Sequence, residues 1–244
     1  TLGLRIVMFV CRRPSRLLSG LLAATCALTL AVAPTGTAQA ANSSSKSVTA
    51  EPRWVAVPKW QLPRLAIGND PAARGALVAL GALDEFSRTR DLDSLSRFTT
   101  QRNLLAEYVA TNAGVSPSIL IAAWSAADLR HQRALLAGLT QIGVPYRWGT
   151  MRPGESFDCS GLTLWAWSHA GVTLARRAGD QITRAARVKV EQAQAGDLVT
   201  MPGHVLIYLG VKDLVLHAPY SGARVRVDIM HLRDWYRYGN PLHG

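Results

Sequence analysis

Two periodicities divide the chain. Between Asp70 and Gly143 apolar residues recur at helical spacing; from Val144 onward they alternate in short runs between turn residues. Asp70-Pro71 reads as an N-cap and first helical position, with Leu77, Leu80, Leu83 and Phe86 following by threes. Asp93 or Ser94 opens a second helix through Leu95, Phe98, Leu105, Tyr108 and Val109, closed by Gly114. Ser116-Pro117 opens a third, long helix that runs through Trp124, Leu135, Leu136 and Leu139 to Gly143. His131 falls inside it with no second ligand or base four residues away, which predicts an ordinary, partly exposed histidine. This stretch reads as an all-α arm of two or three helices.

Residues 145–149 read as an extended lead into Phe157-Asp158-Cys159-Ser160-Gly161-Leu162, where a loop turns into a helix. Leu164-Trp165-Ala166-Trp167 supplies packing material behind it, and Gly171 ends the run as a C′ glycine. Asp158 or Ser160 caps the first turn, so Cys159 is placed at the helix N-terminus. Free N–H groups and the macrodipole there favour an anion, which predicts a thiol that loses its proton more easily. Strands are expected over 187–190, 197–201, 205–209, 214–218 and 224–228, with Ala195-Gly196, Pro202-Gly203 and Ser221-Gly222 as turns. Residues 231–238 read as a short closing helix. One helix followed by a mostly antiparallel meander is an α+β arrangement.

Charge adds a location. The chain carries 27 Lys and Arg against 16 Asp and Glu, a net +11, and the only acid before Asp70 is Glu51. Arg5, Arg12, Arg13 and Arg16 precede an uncharged run at 17–32, and Ala38-Gln39-Ala40 offers a small-residue cleavage site; together these read as an export signal. The uncharged run is short of the ~20 residues a spanning helix needs, so no stable membrane span is expected once the signal is cut. Removing 1–40 takes away four arginines and no acids and leaves a net +7. A basic exported chain suits an anionic cell wall or membrane surface. The chain carries no nucleic-acid recognition motif, and no nucleic-acid partner is expected. Serines at 43–47 and then Pro52, Pro58 and Pro63 mark a linker, with Trp54 and Trp60 inside it. The division is therefore 1–40 signal, 41–68 linker, 69–141 helical segment and the α+β part at 142–244.

Cys11 and Cys26 fall in the signal, which leaves Cys159 as the only cysteine of the mature chain. One thiol forms no internal disulfide, and an unpaired cysteine in an exported protein calls for a reason. Nucleophilic catalysis supplies one, provided a base is in reach. His169 lies ten residues along the same helix, about 15 Å away at ~1.5 Å per residue, and is out of range. His231 sits in the closing segment and His243 near the end. His204 opens one strand and His217 ends the next. A two-residue turn at Gly210-Val211 puts the two histidines directly opposite; a four-residue loop over 210–213 makes them diagonal. Both keep them on one face, ~5–8 Å apart.

The runs Gly143-Val144-Pro145-Tyr146-Arg147-Trp148-Gly149, Phe157-Asp158-Cys159-Ser160-Gly161-Leu162, Gly196-Asp197-Leu198-Val199, His204-Val205-Leu206-Ile207-Tyr208-Leu209-Gly210 and Leu216-His217-Ala218-Pro219 resemble, in order, the NlpC/P60 family of bacterial cell-wall cysteine peptidases. Leu174-Ala175-Arg176 with Gln181 echoes the family's connecting stretch. The resemblance covers 142–244 and implies a papain-like core. It implies Cys159 as nucleophile, His204 as base and His217 as its orienting partner. Tyr146 matches a cleft tyrosine that helps hold the oxyanion, and Asp158 and Ser160 match substrate-facing positions beside the nucleophile. Thr150 and Ala175 depart from the family's usual glycine and proline, and the link from Asp197 to His204 is short. The implied reaction is endopeptidase cleavage of peptidoglycan stem peptides, commonly between D-glutamate and the diamino acid, through a thiolate acyl-enzyme. No cofactor or metal is implied, and no spacing such as His-x-x-x-His is present. The alternatives are a wall amidase cutting between sugar and peptide, and a catalytically silent wall-binding protein. The helical arm is either a brace packing Trp124 and Leu135 on the sheet, or part of the linker or arm lies over Cys159; the second predicts faster wall cutting by a chain beginning near Thr140.

Overall fold

A computed structural model describes residues 62–233 and 235–243. The expected signal, nearly all of the expected linker, Cys11, Cys26, Trp54 and Trp60 lie outside the described residues. Helix α1 (Pro71–Thr89) starts as its sequence dictates, with the Asp70 carboxylate accepting from the Ala72 N–H at 2.8 Å and proline at N1. Helix α2 (Leu92–Ala113) opens earlier than Asp93, because Asp91 caps Ser94 at 2.7 Å. Gly114, at φ 68°, ends it.

The expected third helix is two. α3 (Pro117–Ala126) stops where Ala127 turns extended, and α4 (Leu129–Leu139) begins after Asp128, whose carboxylate accepts from the N–H of Arg130 and His131 at 3.0 Å each. An aspartate that can bond the amides ahead of it competes with helix continuation. His131 is also not partly exposed. It is fully buried, with Nε2 2.9 Å from Asp197 Oδ1, Nδ1 2.5 Å from Asp128 Oδ2, and its ring edge-on to Trp167. It ties the start of α4 to the start of a central strand.

A small hairpin, β1 (Met151–Arg152) with β2 (Ser156–Phe157), leads into α5 (Cys159–His169). A further helix, α6 (Ala178–Arg184), precedes strands β3 (Ala186–Val188), β4 (Leu198–Met201), β5 (His204–Tyr208), β6 (Leu214–His217), β7 (Arg226–Ile229) and β8 (Arg237–Asn240). The six strands form an antiparallel sheet in the order β3-β8-β4-β5-β6-β7. The closing segment expected to be helical is thus partly strand: β8 inserts between β3 and β4, pairing Tyr238 with both Val188 and Val199. Its Tyr238 ring meets Tyr208 edge-on at 5.4 Å, a packing partner that a helix over the same residues would not reach.

Both faces of the central strands are apolar. Val205 and Ile207 of β5, and Leu214 and Leu216 of β6, point toward the helices, whereas Leu206, Tyr208 and Val215 pack on the other face with Val199 and Tyr238. Helix α4 approaches so closely that a Cβ at Gly138 would lie 2.9 Å from Leu216 Cδ2 and 3.1 Å from Ile207 Cδ1. Trp124 of α3 is fully buried and donates from Nε1 to the Leu209 carbonyl at 3.1 Å. Leu80, Leu105, Leu120, Leu135, Leu162 and Leu216 belong to one continuous cluster, so the helical segment and the sheet share a core. Each such side chain contributes about 1.5–3 kcal/mol by burial. No helix among the described residues is long and apolar enough to cross a membrane.

Candidate active site

Asp158 builds the site. Its carboxylate caps α5 by accepting from Gly161 N–H at 2.6 Å, and it also accepts from Gly149 N–H at 2.8 Å. Arg176 clamps both oxygens, Nη1 at 3.0 Å and Nη2 at 2.6 Å, and donates from Nη1 to Ser160 Oγ at 2.8 Å. Of the two caps open in the sequence, the aspartate is the one used. A buried carboxylate held by an arginine fork and two backbone amides fixes the loop before the helix as well as the helix itself. Gly161 allows the same close approach, since a Cβ there would collide with the Thr150 carbonyl oxygen. Gln181 of α6 fastens the outer side, donating to the carbonyls of Ser160 and Ala175 and accepting from Thr163 Oγ1 at 2.6 Å.

Cys159 therefore occupies the first turn of α5, 7% exposed and unpaired. The backbone N–H groups of Val205, Ser160 and Cys159 itself lie near enough to favour its thiolate form. The Val205 contact sets the thiol beside the residue that follows His204. His204 Nε2 lies 2.9 Å from His217 Nδ1, so Nδ1 is the His204 ring nitrogen outside that contact. The strand register explains the pair: Ile207 faces Leu216 and Tyr208 faces Val215, so the connection is the four-residue loop and the histidines are diagonal neighbours. Tyr146 is half-buried, bridged to Phe157 and to the 223–225 stretch through its backbone, and near enough to feel the charge of both Cys159 and Asp158. Ser160 is 6% exposed, its hydroxyl engaged by Asp158 and Arg176. His169, near the other end of α5, meets the Trp165 ring edge-on.

Electrostatics here differ from the simple helix-terminus expectation. Burial pushes the Cys159 thiol up, helped by the Asp158 charge, and outweighs the three backbone N–H groups that favour thiolate. Burial also pushes His204 down to about 4, with His217 adding to it, and burial lowers His217 against the pull of Asp228. Both shifts favour the uncharged forms, a thiol at Cys159 and a neutral imidazole at His204. Two participants were not legible as site residues in the sequence. Asp228 Oδ2 lies 2.9 Å from His217 Nε2, and Arg226 Nε donates to that oxygen at 2.6 Å. Their signal was the alternation Arg226-Val227-Asp228 on the strand next to His217, meaningful only once the β6–β7 register is known.

The family model of NlpC/P60 matches residues 143–239. A Mycobacterium tuberculosis protein described as a probable endopeptidase is 39% identical over 94 residues, covering 37% of this chain and 24% of that one. The Bacillus subtilis bifunctional muramidase/DL-endopeptidase CwlT is 38% identical over 88 residues, covering 33% of this chain and 27% of its own. A probable endopeptidase of Corynebacterium glutamicum is 42% identical over 85 residues, covering 34% and 40%. The match thus takes in from about a quarter to two fifths of those relatives' length. The solved P60 domain of an antigen from M. avium subspecies paratuberculosis is 27% identical at a TM-score of 0.41, covering 47% of this chain and 96% of that one. Residues 143–239, which carry the cysteine helix and both histidine strands, are thus the part of the chain that is similar to the NlpC/P60 family.

Proposed function

We propose that this chain is an exported peptidoglycan hydrolase, a cysteine endopeptidase that cuts stem peptides at the D-glutamyl–diamino acid bond. The observation that carries the reading is a lone thiol at the start of α5, influenced by the Val205 amide of the strand that opens with His204, which is itself paired with His217. Relatives described as endopeptidases, CwlT among them, support the reaction class. In the proposed cycle His204 Nδ1 takes the Sγ proton as the sulfur attacks the amide carbonyl. The Tyr146 hydroxyl helps hold the oxyanion, and Asp158 and Ser160 form the cleft wall next to the nucleophile. The His204 imidazolium then protonates the leaving amine, and water activated by the same imidazole releases the acyl-enzyme. Wall peptides are the partner, and the location is the cell envelope or beyond.

The scissile bond is read from products. Walls of defined composition digested with purified 41–244 are expected to yield fragments ending in D-glutamate, with new amines on the diamino acid, by mass spectrometry. Intact stem peptides freed from the glycan would instead make the enzyme an amidase using the same thiol.

A further inference from the structure

The polar chain behind Cys159 does not stop at the third member. His217, 4% exposed, has both ring nitrogens engaged, Nδ1 with His204 Nε2 and Nε2 with Asp228 Oδ2, each at 2.9 Å. Arg226 faces His217 directly across the β6–β7 ladder and holds the same Asp228 oxygen from Nε at 2.6 Å. The Tyr220 side chain hydrogen-bonds Arg226 in turn. We propose that Asp228, oriented by Arg226, is a positioning residue that sets the tautomers of both histidines, so that His204 presents an unprotonated Nδ1 to the thiol. The inference rests on the cysteine-peptidase reading above.

The argument is one of donors and acceptors. An ionised carboxylate only accepts, so His217 Nε2 carries its hydrogen toward Asp228. A neutral imidazole has one N–H, so His217 Nδ1 is a lone pair and accepts from His204 Nε2–H. His204 is then neutral with its lone pair on Nδ1, the nitrogen left for Cys159. Reversing either ring would set two lone pairs facing each other at 2.9 Å at the carboxylate or between the rings. When the Sγ proton moves to His204 Nδ1, the ring becomes an imidazolium. Its charge is then stabilised through His217 by the Asp228 carboxylate. Asp228 touches neither substrate nor sulfur and acts only through His217.

The test is a double-mutant cycle with two readouts. Asp228→Asn replaces an obligatory acceptor with an amide that donates or accepts, so the tautomers are no longer dictated. With walls as substrate, kcat is expected to fall about 10–100-fold, part of what general acid–base catalysis supplies, with KM within about twofold. Alkylation of Cys159 by iodoacetamide is expected to slow at neutral pH and shift its profile upward. In a His217→Ala background, Asp228→Asn is expected to cost nothing further. The parent's kcat and alkylation profile in Asp228→Asn would overturn the proposal, as would an undiminished loss in the His217→Ala background. Should Asp228→Asn melt below the parent, Arg226→Gln repeats the cycle with the carboxylate kept but unclamped; a smaller kcat loss that vanishes without His217 supports the proposal, and a loss independent of His217 overturns it. Alkylation needs no wall substrate. A parent chain that leaves walls intact therefore counts against the hydrolase reading, while the alkylation profile still decides the role of Asp228.

Discussion

Burial sets the working pH of the pair at Cys159. His204, pushed down to about 4, is a neutral base throughout the neutral range, so the acid limb of kcat/KM is expected near pH 4 rather than at the ordinary histidine value of 6.5. A limb at 6.5 would mean that the imidazole is better solvated than its surroundings indicate. The same shift has a stability consequence. Between pH 6.5 and about 4 the unfolded chain binds a proton at this histidine that the folded chain refuses, so stability falls as pH falls through that window. His204→Ala is expected to flatten the acid side of a Tm-against-pH curve. Asp158→Ala removes a cap worth about 1 kcal/mol, releases Gly149 and strands Arg176, so the urea midpoint should drop by more than the cap alone explains. That His204 and His217 could share a face was readable from spacing, since either even-length loop keeps them there, and the register shows the four-residue one. Asp228 was not readable, because its place beside His217 depends on how the 218–225 connection closes.

At the scale of elements, strands were legible where a short apolar run stood between turn residues, as in β5 and β6, and lost where the pattern was ambiguous. Residues 117–139 keep one helical apolar rhythm through a break that only the Asp128 cap reveals. β8 owes its form to neighbours on both sides, β3 and β4, which no local pattern reports. Two contacts between elements invite measurement. Trp124→Phe keeps most of the buried ring but removes the donor to Leu209, and is expected to cost about 1–3 kcal/mol because that carbonyl is left unpaired in the core. Gly161→Ala forces the α5 start away from Thr150 and should cost about 1–3 kcal/mol, with activity falling further than stability because Cys159 moves with the turn. Equal urea midpoints for Gly161→Ala and the parent would show that the loop yields freely.

For the whole molecule, the shared core supports the brace for the helical arm, while residues 41–61 of the linker lie outside the described residues. Trp124 and Leu135 pack as a brace, and α4 lies on the strands that carry both histidines. A chain beginning near Thr140 would uncover Leu162, Ile207 and Leu216 together. It is expected to aggregate rather than to cut walls faster, and a soluble, faster enzyme would restore the cover reading. A change of periodicity after Gly143 was legible in the sequence, whereas the packing of the two stretches into one unit was not, since a helix pattern does not name the face it meets. The central claim is that Cys159 performs the chemistry, and one comparison tests it most directly. Isolated walls are incubated with purified 41–244 and with Cys159→Ala at matched folded concentration, and soluble muropeptides are quantified by mass spectrometry. The account predicts release by the parent and none above background by the variant; equal release by both would contradict it.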